Sequence, residues 1–157
     1  MKKNLLVLLL LMGCALLFQA ALSQAQHGHG SGSSPAMEVR EVLTGGVKVS
    51  FQIMPNEEHR KALKSMKMKD DVEPGSTHNI AVVCTDEKTG KPITDAAVSM
   101  KVIDPAKKDQ IKNMKYEAKM KSYDAYFSLK DKGKYQIMVL LKRGEQKLAA
   151  GIYYEME

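Results

Sequence analysis

The sequence predicts a mainly β chain, an antiparallel β-sandwich of about seven to eight strands with one short helix inserted after the first hairpin. Three observations carry this expectation. Short segments that alternate apolar and polar residues recur along the chain, separated by turn signals at sandwich spacing. Gly45-Gly46 stands between two of them, able to supply the positive φ of a tight hairpin. Late in the chain, Asp131-x-Gly133-x-Tyr135 precedes another alternating run.

The first residues read as a leader outside the fold. Lys2 and Lys3 form a charged start, Leu5 to Phe18 form an apolar stretch, and Ser23-Gln24-Ala25 fits a small-x-small cleavage site. Residues 1–25 are therefore expected to be a signal peptide, and the apolar stretch is short for a membrane span. A second reading competes. Leu11-Met12-Gly13-Cys14 is close to a lipobox, which would make Cys14 a lipid-anchored amino terminus. The apolar Ala-Leu-Leu-Phe after Cys14 favours plain export. Both readings place the protein outside the cytoplasm, periplasmic or secreted, with no transmembrane domain in the mature chain.

Removing 25 of 157 residues leaves 132, enough for one domain with a core. Residues 26–36 form a Gly/Ser/His tail that has nothing to bury and is expected to be disordered. The sandwich domain then occupies 37–157. Its first hairpin runs from Met37 to Thr44 and from Val47 to Ile53. A helix is predicted from Pro55 to about Met68, with Asn56 as its N-cap and Glu57 and Glu58 in its first turn. Strands follow at Ile80–Thr85 and Ala97–Ile103, with weaker signals near 110–117 and 123–129. Tyr135–Leu141 and Leu148–Tyr154, joined by a turn at Lys142–Glu145, complete the set. The D-x-G-x-Y pattern matches the tyrosine corner of immunoglobulin-like domains, in which a phenol bonds back to the chain. Ile137 stands where antibody domains carry their second cysteine, and the chain has no Trp. The expected fold is thus immunoglobulin-like without the antibody core devices.

Within that frame, "THNIAVVCTDEKTGKPITDAAVSMKVIDP" (77–105) and "FSLKDKGKYQIMVLL" (127–141) resemble the YtkA-like family of small exported immunoglobulin-like domains. The resemblance covers about half of the mature chain and rests on the T-G-K-P turn, the D-A-x-V strand and the G-x-Y corner. It implies the fold, and a setting in bacterial metal handling or respiratory-complex assembly. It carries over no catalytic set. Copper chaperones of similar architecture use a His–Met motif of fixed long spacing, and His59, Met66, Met68 and His78 depart from it.

Nucleic acid is not an expected partner. The mature chain keeps 22 basic residues against 18 acidic ones, nearly all of the basic ones lysines interspersed with acids. Methionine is the anomaly, with nine of eleven remaining after the leader. Thioether sulfur is soft and unprotonated, which suits Cu(I) in an oxidising compartment, and imidazole binds either copper state. The candidate metal ligands are therefore Met66, Met68, His78, His59 and Met120, with His27 and His29 in the tail. Met100 and Met138 read as packing, whereas Met66, Met68, Met114 and Met120 read as able to reach solvent. Met66 also shares a helical face with His59, Ala62 and Leu63, so packing competes with ligation there. Cys84 reads as a buried small hydrophobe, and Asp70, Asp71 and Glu73 as a solvated turn. Catalysis is not expected, since no nucleophile elbow or carboxylate–histidine pairing is visible. Two functions follow: a non-enzymatic copper-binding envelope protein serving a membrane metalloprotein, or a structural or protein-interaction module without metal.

Overall fold

The computed structural model describes residues 37–157; the leader, Cys14, the tail, His27 and His29 lie outside the described residues. In chain order the elements are β1 Glu38–Thr44, β2 Val47–Pro55, α1 Asn56–Ser65, β3 His78–Asp86, β4 Ala97–Ile103, β5 Asp109–Glu117, β6 Ser122–Phe127, β7 Gly133–Arg143 and β8 Gln146–Met156. Each expected strand is present, its bounds shifted by a residue or two. Every pairing is antiparallel, and the strands form one sheet in the order β1-β2-β3-β6-β5-β4-β7-β8.

Setting β1 aside, the runs β2-β3-β6-β5 and β4-β7-β8 reproduce the A-B-E-D and C-F-G strand orders of immunoglobulin-type sandwiches. They are joined through β5. Its residues Asp109 to Met114 pair with β4, and Lys115 to Glu117 pair with β6. The two end strands, β1 and β8, lie in contact, which makes the sheet nearly closed. One core fills the interior, drawing Val49, Phe51 and Ile53 from β2, Ile80 and Val82 from β3, Met100 and Val102 from β4, and Ile137 and Leu141 from β7. In β2, β4 and β7 these residues alternate with outward-facing neighbours, the period-2 pattern of a half-buried strand.

The β1–β2 turn behaves as its glycines require. Gly45 and Gly46 have φ of 53° and 76°, the left-handed pair of a type I′ hairpin. A side chain at Gly45 would also run into Leu148 of β8, so the turn is confined where the two sheet ends meet.

The expected N-cap is corrected. Pro55 holds the cap position and Asn56 is the first helical residue, with no side-chain cap bond. Asn56 is drawn away by the fold: its backbone N–H donates to Thr77 O at 2.9 Å and its Nδ2 to Ser76 Oγ at 2.8 Å. The helix also ends at Ser65, three residues before the expected Met68. Glu57 and Glu58 do occupy the first turn, where the helix dipole favours acids, and both pair with Lys61. Among the described residues no helix is long and apolar enough to cross a membrane.

The tyrosine corner is formed. Tyr135 is fully buried, and its hydroxyl donates to Asp131 O and accepts from Asp131 N–H, both at 2.9 Å. One phenol thus satisfies both backbone polar groups of one residue, Asp131, where the chain turns into β7. Replacing it by Phe keeps the packing but strands those groups, each worth about 1–3 kcal/mol when buried and unsatisfied. Tyr135→Phe should lower the urea midpoint by a corresponding amount without changing the slope; an unchanged midpoint would show that the corner is solvated.

Candidate functional site

Strand β3 divides the candidate ligands. Successive strand residues point to opposite faces, and cross-strand partners share one. His78 pairs with Phe127, which is fully buried in the core; Asn79 pairs with Tyr126, on the outer face. Tyr126 Oη lies 3.0 Å from His59 Nε2 on α1, the helix that covers this outer face. The two imidazoles are therefore on opposite sides of the sheet. They do not form one site.

His78 closes the end of the core. It is 6% exposed and packs edge-on to Tyr154 at 6.4 Å between ring centroids. Its Nδ1 is 2.9 Å from Thr77 Oγ1, which accepts from Leu129 N–H at 2.7 Å and lies 3.2 Å from Leu129 O. The histidine is thereby tied to the segment that follows β6. Burial lowers its pKa from the ordinary 6.5.

His59 is 1% exposed, and its surroundings fix its tautomer. Tyr126 O–H donates to Asp71 Oδ1 at 2.8 Å, since an ionised carboxylate only accepts. The phenol oxygen must then accept from His59 Nε2–H. That leaves Nδ1 as the ring's lone pair, buried and without a hydrogen-bond partner. Asn56 Oδ1, one helical turn earlier, is a second buried acceptor without a partner. Burial and the Asp71 carboxylate hold the Tyr126 phenol far above its ordinary range, so it remains a donor. For His59 burial dominates and lowers the pKa, opposed by Asp71 and Asp70 and assisted by Arg60. Beside it, Asn79 Nδ2 donates to Asp124 Oδ2 at 3.0 Å, and burial raises the pKa of Asp124.

The stretch after α1 ends the helix in a Schellman motif. Met66 is the C-cap, Lys67 is left-handed at φ 53°, Lys67 N–H donates to Lys64 O and Met68 N–H to Leu63 O. Met68 occupies the position whose side chain ordinarily packs back on the helix, and it is half-buried, whereas Met66 is 37% exposed. Packing thus falls to Met68 rather than Met66. The turn is not merely solvated either, because Asp71 reaches Tyr126. Met114 is corrected as well: it is 7% exposed and belongs to the core. Met100 is core as expected; Met138 is half-buried on the outer face of β7. Met120, half-buried in the β5–β6 turn, stands at the opposite end of β6 from Tyr126, far from His59.

Cys84 lies on the inner face of β3 at 2% exposure, and burial raises its thiol to about 11, so it behaves as an inert hydrophobe. Among the described residues no three His, Cys, Asp or Glu side chains converge in a metal-holding group. A cavity of about 450 Å³ lined by Val42, Leu43, Lys48 and Asp86 sits at the Asp86 end of β3, away from both histidines. The partners of His59 were invisible in sequence because Asp71 and Tyr126 are 55 residues apart. The one local signal was Asn56 and His59 at helical i,i+3 spacing.

No protein-family model and no curated protein matches this chain. Solved structures do. A DUF4426 family protein from Pseudomonas aeruginosa PAO1 aligns with a TM-score of 0.56 at 16% identity, covering 75% of this chain and 94% of its own. FetP from uropathogenic E. coli strain F11 aligns at 0.52 and 10% identity, covering 76% and 93%. A copper-bound variant of that FetP aligns at 0.51 and 10%, covering 76% and 94%. At these identities the likeness is one of fold.

Two expectations follow. Lys67 adopts a conformation that costs a side-chain-bearing residue about 1–2 kcal/mol, so Lys67→Gly should raise the thermal midpoint; a lower midpoint would mean the Lys67 side chain has a stabilising role. His78 is held neutral by the fold, so its contribution is full above the ordinary pKa of 6.5 and is lost as pH falls towards the lowered folded value. Stability measured by urea should therefore decline as pH falls below about 6.5, and His78→Gln should flatten that decline, with the remainder due to His59.

Proposed function

We propose that this is an exported, non-enzymatic β-sandwich protein that binds copper through His59 with Met66 and Met68, serving metal handling or respiratory-complex assembly in the cell envelope. The observation that carries the reading is the bare Nδ1 of His59. A buried acceptor left without a partner costs about 1–3 kcal/mol, and a missing ion is one of the few reasons to retain one. The other ring nitrogen is held as metal-ligating histidines usually are. Its N–H is bonded outward, here through Tyr126 to the Asp71 carboxylate, which fixes the tautomer and makes the ligating nitrogen more basic. Two thioethers follow within nine positions, at the end of the same helix.

Copper held there would be a cargo or redox ion coordinated by imidazole and soft sulfur. His78 is outside this set because it lies across the sheet, and Met120 because it stands at the far end of β6. The copper-bound FetP variant shares the architecture, which makes copper a reasonable first ion to test; the chemistry rests on His59. The leader segment supports export. A membrane metalloprotein is the proposed recipient. Plain export is preferred over a lipid anchor at Cys14.

Titration of the processed protein with Cu(I) against a chromophoric chelator tests this. His59→Ala should weaken binding at least a hundredfold, and Tyr126→Phe about 10–100-fold, the usual effect of losing the group behind a ligating histidine. The Met66→Leu/Met68→Leu pair should remove the sulfur scattering from the copper X-ray absorption spectrum. Binding that survives His59→Ala, or that disappears on deleting residues 26–35 alone, would reject the site and favour a metal-free interaction module.

A further inference from the structure

The outer face of the β7–β8 hairpin is built unlike the rest of the surface. On β8 the outward positions between Lys147 and Glu155 are Ala149, Gly151 and Tyr153, two of them nearly without side chain. Opposite them on β7 stand Gln136 and Met138. Together they line a groove of about 290 Å³. Gly151 keeps its floor low: a Cβ there would meet Met138 Cγ at 3.3 Å and Ile137 O at 3.4 Å. Tyr153 is 57% exposed at one end, a large aromatic surface with nothing packed over it except one cation. Lys134 Nζ sits 5.3 Å from its ring centroid.

A second depression, of about 260 Å³, continues from the first and shares Gln136 and Tyr153 with it. It is lined by Lys107 and Lys134, and among the described residues neither lysine forms an ion pair. Asp104 also lines it, but Asp104 Oδ1 accepts from Lys108 N–H at 2.8 Å and so is engaged in its own turn. Lys107 stands at φ 67°, a left-handed position that Gly or Asn fills at less cost.

We infer that this face is a docking site for an extended acidic peptide segment of a partner protein, with an apolar side chain on the Ala149–Gly151 floor and a carboxylate at Lys107 and Lys134. The occupant follows from charge and length. Two unpaired lysines in water hold an anion only weakly, so the carboxylate needs apolar burial beside it, and the groove supplies that. Ala149 to Tyr153 spans about 13 Å at strand rise, the length of roughly four or five extended residues. Tyrosine is one of the residue types enriched in binding hot spots. This surface lies on the β7–β8 half and does not depend on the copper reading.

Selection of a random octapeptide phage library against the processed protein, biotinylated at its terminus, tests the inference. The enriched peptides should combine Asp or Glu with an aromatic or large aliphatic residue two to four positions away. A synthetic peptide from that pool should lose at least tenfold in affinity on Tyr153→Ala and on Lys107→Glu/Lys134→Glu, with circular dichroism melts showing that both variants fold. Its Asp/Glu→Lys counterpart should not bind. The inference is overturned by a library that yields no enrichment, by enriched peptides that bind both variants equally, or by a concentration-dependent dimer that these substitutions abolish, which would assign the groove to a second copy of the chain.

Discussion

From His78 to Val82, strand β3 is buried on both faces, and much of the molecule is arranged around that constraint. Its inner face supplies Ile80, Val82 and Cys84 to the core. Its outer face, with Asn79 and Ala81, is equally enclosed. A sandwich leaves such a face to water, so an extra element is needed to cover it. The helix inserted between β2 and β3 does so, burying Leu63 and His59. Covering the outer face also buries polar groups there, and they have to find partners within the protein.

Most of them do. Asn79 bonds Asp124, Asn56 bonds Ser76, and Tyr126 links His59 to Asp71. The remaining lone pairs, His59 Nδ1 and Asn56 Oδ1, come from residues one turn apart on a single helix. The two unpartnered acceptors are the observation on which the copper proposal rests. The same low dielectric that makes these gaps costly keeps the Tyr126 phenol protonated and disfavours a charge on His59. The imidazole is therefore kept neutral, the state in which a ring nitrogen can ligate.

The two halves of the sheet carry different work. The β2-β3-β6 half carries the helix and the buried polar chain. The β4-β7-β8 half has an uncovered outer face on which small residues, Met138 and Tyr153 leave a groove ending in lysines. Closure of the sheet, by contact of β1 with β8 and by the left-handed Gly45-Gly46 turn against Leu148, holds the two halves around one core. A copper ligand set on one face and a peptide groove on another would let one small domain contact an ion and a recipient separately.

The strands were legible in the sequence because alternation, turn glycines and the Asp131–Tyr135 corner are local signals, each decided by residues close in the chain. Burial of Met100 followed from the same alternation. Residues outside regular alternation were misjudged: Asn56 looked like a cap, Met114 looked accessible, and Asp71 looked solvated. Each was decided by a partner distant in sequence, namely Ser76 and Thr77, the core, and Tyr126. The sequence by itself determined the strands, the hairpin and the corner, because those depend on side-chain period and backbone φ. Only the tertiary structure decided that His59 and His78 sit on opposite faces and that one nitrogen is left bare. That depends on which strand pairs with β3 and in what register, and no local run of residues specifies it.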